Sequence, residues 1–127
     1  MIDSETDSPS IKALIVFREN GETDNLFVPI LCDAIRMAGI DVRCSTKEFW
    51  DSDKHYDIIH FQWPEEVVGW TCNDPDIIRR LEERISFFRS RGARFVYTRH
   101  NVRPHYANGI ISRAYDIIES QSDIVVH

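Results

Sequence analysis

The feature that most constrains this chain is an alternation. Short apolar runs rich in β-branched residues are separated by longer segments with helical apolar spacing, and Gly, Pro, Asp and Asn punctuate the joins. Ile11 to Phe17 is a compact apolar run of the kind a buried strand needs. Phe27, Ile30, Leu31, Ala34, Ile35 and Ala38 then recur as one face of a helix, with Gly39 as its stop. Pro29 is compatible with that helix only within its first turn. Ile40 to Cys44 alternates like a strand near a sheet edge, and Tyr56 to Phe61 suits a central strand.

The segment from Pro75 to Arg91 is the clearest helix. Ile77, Ile78, Leu81, Ile85 and Phe88 form its stripe, with Asp74 and Asp76 at its start and Arg89 and Arg91 at its end, the charge order a helix dipole favours. Ala93 to Thr98 is a fourth strand. A last helix from about Tyr106 to Ser120 would bury Ile110, Ile111, Ala114 and Ile118, and Ser122 to His127 forms a fifth strand. Gln62 to Trp70, between the third strand and the long helix, reads as an aromatic loop.

Strands and helices alternating this way predict an α/β fold. We expect a Rossmann-like, doubly wound parallel sheet of about five strands in order 2-1-3-4-5, with helices on both faces. The chain of 127 residues is one domain's worth of material, with residues 1–10 as a frayed acidic tail and residues 11–127 as the domain. That tail has neither the basic nor the apolar region of a signal peptide, and no apolar run is long enough to span a membrane.

Charge limits the partners. Fifteen Lys and Arg against 21 Asp and Glu leave a net charge of −6, which argues against a nucleic-acid-binding module. Three cysteines, in no C-x-x-C pair and with Cys32 and Cys44 inside apolar patterns, suit a reduced, cytoplasmic protein.

Ligands of such sheets sit outside the carboxyl ends of the strands. The loops expected there are Arg18 to Asp24, His60 to Glu66 and Thr98 to His105. They gather Arg18, Arg99, Arg103, His100 and His105 on one rim, suited to phosphate or sugar hydroxyls. Gly21 is the lone glycine of the first loop, so no dinucleotide-binding fingerprint is present, and P-loop and nucleophile-elbow motifs are also missing. His60, His100 and His105 do not have zinc-site spacing. Each feature also has a plainer reading: His60 as a hydrogen-bonded rim residue, Trp63 and Trp70 as packing anchors, Glu65 and Glu66 as a solvated pair and not a base with its neighbour.

Three segments resemble a known family. Tyr56 to Glu65 resembles the D-x-I-H-x-H-W-P-E segment of GT-B type glycosyltransferases, Thr98 to His105 their T-x-H-N-x-x-P-H loop, and Ser122 to His127 the A-D-x-I-I-V-H strand that follows. The resemblance implies the N-terminal, acceptor-side half of a GT-B architecture, family 4-like, from a bacterial enzyme building surface or exopolysaccharide. It implies a hexosyltransferase activity that needs no metal and takes a nucleotide-sugar donor, with transfer to a saccharide or lipid-linked acceptor. The donor-binding C-terminal domain would lie outside these residues, leaving them inactive alone. Under the resemblance, His100 contacts the donor sugar near the reaction centre. His60, Trp63, Glu65, Asn101, Arg103 and His105 line the acceptor side, joined by Arg99 from the rim. Asn20 and Gly21 stand where the family has a Gly-Gly pair, and Gln62 where it has a second histidine, keeping a hydrogen bond but no proton switch. Work at the inner face of the cell membrane, with peripheral membrane association, and a dimer through an exposed domain interface are compatible with it.

A second class stands beside this one: a self-contained flavodoxin-like binding or signalling module. Receiver domains of that class usually carry an acidic cluster after strand one and a Lys after strand five, whereas here Arg18 mixes with Glu19, Glu22 and Asp24. A nucleotide hydrolase or mutase would rest on fold analogy alone.

Overall fold

A computed structural model of the chain describes residues 10–18, 27–100 and 109–127. Five strands form one all-parallel sheet: β1 (Lys12–Val16), β2 (Asp41–Cys44), β3 (Ile58–Phe61), β4 (Arg94–Thr98) and β5 (Ile124–Val126). Their order is β2-β1-β3-β4-β5, as the alternation predicts. Register brings the apolar centres level, Leu14 beside Ile59 and Ile59 beside Phe95, so the three middle strands share one continuous hydrophobic band.

Among the described residues, five helices connect or flank the strands: α1 (Phe27–Met37), α2 (Thr46–Asp51), α3 (Pro64–Val68), α4 (Asp76–Ser90) and α5 (Gly109–Gln121). The pleat sends alternate residues to opposite faces and so divides the core. On one face Leu14, Val16, Ile59, Phe61, Phe95 and Tyr97 pack with α2 to α5. On the other, Ala13, Ile15, Phe17 and Val42 pack with Val28 and Cys32 of α1.

The α4 stripe is buried as its spacing predicts. The α1 face differs from expectation. Val28 and Cys32 are buried with Leu31 and Ile35 against them, while Phe27 (46% exposed) and Ile30 (64%) face outward. The apolar residues of α1 encircle more than one face, so periodicity alone left its rotation undetermined, and in the fold the Val28–Cys32 side packs with Ala13, Ile15 and Phe17. Pro29 is the third residue of α1, where its missing N–H costs no hydrogen bond. Gly39 closes the helix at φ +89°, a left-handed position that favours glycine.

Two short helices went unforeseen. α2 is capped by Ser45, whose Oγ accepts from the Glu48 N–H at 3.0 Å, the first half of a Ser-x-x-Glu capping box legible in the sequence. α3 replaces the expected aromatic loop, with Pro64 opening it and Glu65 and Glu66 in its first turn. The start expected for the last helix, residues 106–108, lies outside the described residues, as does most of the acidic tail. Among the described residues, no helix is long and apolar enough to cross a membrane.

Candidate functional site

The carboxyl rim is built by the ends of β3 and β4. Because the side chains of β3 alternate, His60 leaves the face that Ile59 and Phe61 bury and meets Thr98 of the neighbouring strand, with 2.7 Å between Nε2 and Oγ1. Gln62, fully buried just past β3, then joins two histidines. Its Nε2 lies 3.1 Å from His60 Nε2, and its Oε1 lies 2.7 Å from His100 Nε2. With the amide donating at one end and accepting at the other, His60 Nε2 is an unprotonated acceptor and His100 Nε2 carries the proton.

Burial agrees with that assignment. It depresses the His60 pKa to about 4, helped by the nearby His100, and it also lowers the pKa of His100. Both rings are neutral near pH 7.

His100 is held from two further sides. The Trp63 indole stacks on its face at 4.0 Å between centroids, and Phe27, the first residue of α1, meets it edge-on at 5.2 Å. Trp63 in turn leans on Phe17 at the end of β1. The rim thus ties β1, β3, β4 and α1 together through one imidazole.

The two glutamates of α3 are both buried, not a solvated pair. The Tyr115 hydroxyl, from α5, lies 2.9 and 2.8 Å from the two carboxylate oxygens of Glu65. Glu66 accepts from Trp70 Nε1 at 2.6 Å and forms a forked ion pair with Arg18. Nothing local in the sequence signals the Tyr115–Glu65 contact, since the two residues are 50 positions apart. The Arg18–Glu66 pair was visible only as two charges assigned to one rim.

Of the residues expected to form a site, the structure brings His60, Trp63 and His100 into one contact network. It buries Glu65 against Tyr115 and sets the Nε of Arg99 3.9 Å from a Glu119 oxygen. Asn20, Gly21, Asn101, Arg103 and His105 lie outside the described residues. Among the described residues, no cluster of three or more His, Cys, Asp or Glu side chains is placed to hold a metal ion.

No family model matches the sequence, and no curated protein matches it. Among solved structures the fold is similar to the crystal structure of a response regulator CheY-like protein from Mesorhizobium loti, with a TM-score of 0.50 over 93% of this chain and 85% of that one at 14% identity. At that identity the likeness is one of fold.

This finding corrects the glycosyltransferase reading, and with it the expected hexosyltransferase activity and the nucleotide-sugar and polysaccharide chemistry that came with it. Physically, those of the described residues at the centre of the resemblance are engaged with one another, while Asn101, Arg103 and His105 lie outside the described residues. Gln62 links the Nε2 atoms of His60 and His100, Trp63 covers the His100 face, and Glu65 is bolted to Tyr115. A five-stranded sheet in this order is common to many unrelated activities, so the sheet itself lends no support to sugar transfer.

Proposed function

We propose that this chain is a non-enzymatic, flavodoxin-like binding and signalling module whose recognition surface is the carboxyl rim around Trp63, Arg99 and His100. The observation that carries this reading is the Gln62 bridge, which locks two neutral imidazoles into fixed hydrogen-bonding roles. Such an arrangement presents a rigid shape to a partner, with the Nε2 atoms of both imidazoles already engaged by Gln62. The signalling class is taken by analogy from the CheY-like response regulator that shares the fold. The buried carboxylates Glu65 and Glu66 are committed to Tyr115, Arg18 and Trp70, so they are poor acceptors for a phosphoryl group. The signal is therefore read through contact at the rim. A net charge of −6 suits a protein partner better than nucleic acid, and three free cysteines support a reducing, cytoplasmic setting.

A photo-crosslinking residue placed at Arg99 tests this in cells. One discrete protein adduct is expected, and Gln62→Leu should abolish it while circular dichroism shows the fold intact. Turnover of a small substrate that is lost in a folded His100→Ala variant would overturn the reading.

A further inference from the structure

A second site lies at the opposite, amino edge of the sheet. There a cavity of about 390 Å³ is lined by Lys12, Asp41, Arg43, Lys54, His55 and Tyr56, within the size range of small-molecule pockets. Lys12 and Asp41 are the first residues of β1 and β2 and stand side by side in register. Asp41 and Arg43, two apart on β2, project from the same face as Lys12. The chain places Lys54, His55 and Tyr56 there because they enter β3 beside the start of β1.

We propose that this cavity binds a small phosphate monoester that also carries a hydroxyl group. Three permanent cations surround the space in a protein whose overall charge is −6. Apart from Asp41, which lines the cavity itself, the neighbouring carboxylates Glu48 and Asp57 are already engaged by the fold. Glu48 accepts from the Tyr56 hydroxyl at 2.7 Å, and its carboxyl is held below the usual range chiefly by that bond. Asp57 accepts the Lys12 backbone N–H at 2.9 Å, with His55 Nε2 at 2.9 Å from its other oxygen. Arg43 Nε reaches Glu48 only at 4.0 Å. Among the described residues, the ammonium groups of Lys12 and Lys54 have no carboxylate within ion-pair distance.

Two ammonium point charges and a planar guanidinium fork match a tetrahedral dianion, which can accept from all three. Asp41 decides the rest of the ligand. A carboxylate lining the same cavity repels a bare anion and accepts from a hydroxyl donor, so it favours a phosphate esterified to a polyol over inorganic phosphate. The cavity exceeds what a phosphate alone needs.

Amide NMR titrations of the full chain with glycerol 3-phosphate, inorganic phosphate, glycerol and a poly-glutamate peptide test this. Saturable shifts at Lys12, Asp41, Arg43 and Tyr56 are expected with glycerol 3-phosphate, weaker ones with phosphate, and none with glycerol. Lys12→Ala combined with Lys54→Ala should weaken binding about a hundredfold, about tenfold per lost charge-assisted contact. The bond from the Lys12 backbone to Asp57 survives that change, so the fold is retained, and circular dichroism verifies it. Asp41→Asn should tighten phosphate binding about threefold and erase the preference for glycerol 3-phosphate. Unsaturable shifts, undiminished binding in the double variant, or tighter binding of poly-glutamate than of either phosphate would overturn the proposal.

Discussion

The Trp63 indole lies almost parallel to the His100 imidazole, with 4.0 Å between centroids and 13° between planes. This contact joins the chain leaving β3 to the chain leaving β4, and Phe17 extends it to the end of β1. It sets the geometry of the rim by filling the space where the three strands end. Trp63→Ala should therefore destabilise the protein by about 2–3 kcal/mol, less than the cost for a fully buried Trp because the ring is half-buried. Trp63→Phe should recover most of the loss. Urea unfolding of the three proteins measures it, and equal midpoints would remove the stack from the stability of the rim.

The buried His60 makes stability depend on pH. Its folded pKa of about 4 lies below the ordinary value of 6.5, so the unfolded chain binds the extra proton between those two values. Stability is then fully present above pH 6.5, declines as pH falls, and is lost by about pH 4, with a total near 3 kcal/mol. The depressed His100 contributes with the same sign. Glu48 and Asp57, whose pKa values are lowered by Tyr56 and by the Lys12 backbone N–H respectively, act in a more acidic window. His60→Gln should flatten the decline between pH 6.5 and 4 and leave the lower window unchanged, as chemical denaturation at stepped pH would reveal.

Tyr115 reaches 50 residues back along the chain to a carboxylate with no solvent exposure. Tyr115→Phe keeps the ring and removes one donor from a buried acceptor, with an expected cost of about 1–3 kcal/mol. A double-mutant cycle with Glu65→Gln should give a coupling of about 1 kcal/mol or more between the two positions. Additive effects would mean that the pair acts independently.

Arg84 on α4 pins the short helix α2. Its Nε donates to the Phe49 carbonyl and its Nη2 to the Ser52 carbonyl, both at 2.6 Å, while the guanidinium lies over the Phe87 and Phe88 rings. Burial lowers its pKa, yet it stays charged. Arg84→Lys cannot reproduce the fork or the stacking, so it should fail to restore what Arg84→Ala loses. Hydrogen exchange across residues 46–52 should accelerate at least tenfold in both variants, with α5 little changed.

Strand positions, strand order and the α4 stripe were all legible, because β-branched runs and 3.6-residue spacing are local properties that survive into the fold. α2 was missed although its Ser45-x-x-Glu48 cap is written in the chain, and α3 because Trp63 and Trp70 drew Gln62 to Trp70 into an aromatic loop. The rim was legible as a location and not as a mechanism. His60, Gln62 and His100 could be assigned to the same edge, but which nitrogen met which oxygen depends on distances across strands. The same residues read in order also resembled a glycosyltransferase motif, because a pattern of residue types does not reveal whether its polar groups face a substrate or one another.

The sequence by itself determined the α/β alternation and its parallel sheet, and with them the strand ends beyond which Arg18 and Arg99 lie, since each follows from residue type and short-range spacing. Only the tertiary structure decided that α1 buries Val28 and Cys32 in place of Phe27 and Ile30, and that Glu65 and Glu66 are interior bolts. It also decided that Lys12, Arg43 and Lys54 meet around one cavity at the amino edge. The physical reason is common to all three. Burial and pairing depend on what the rest of the chain brings within a few ångströms, which helical and strand periodicity leave open.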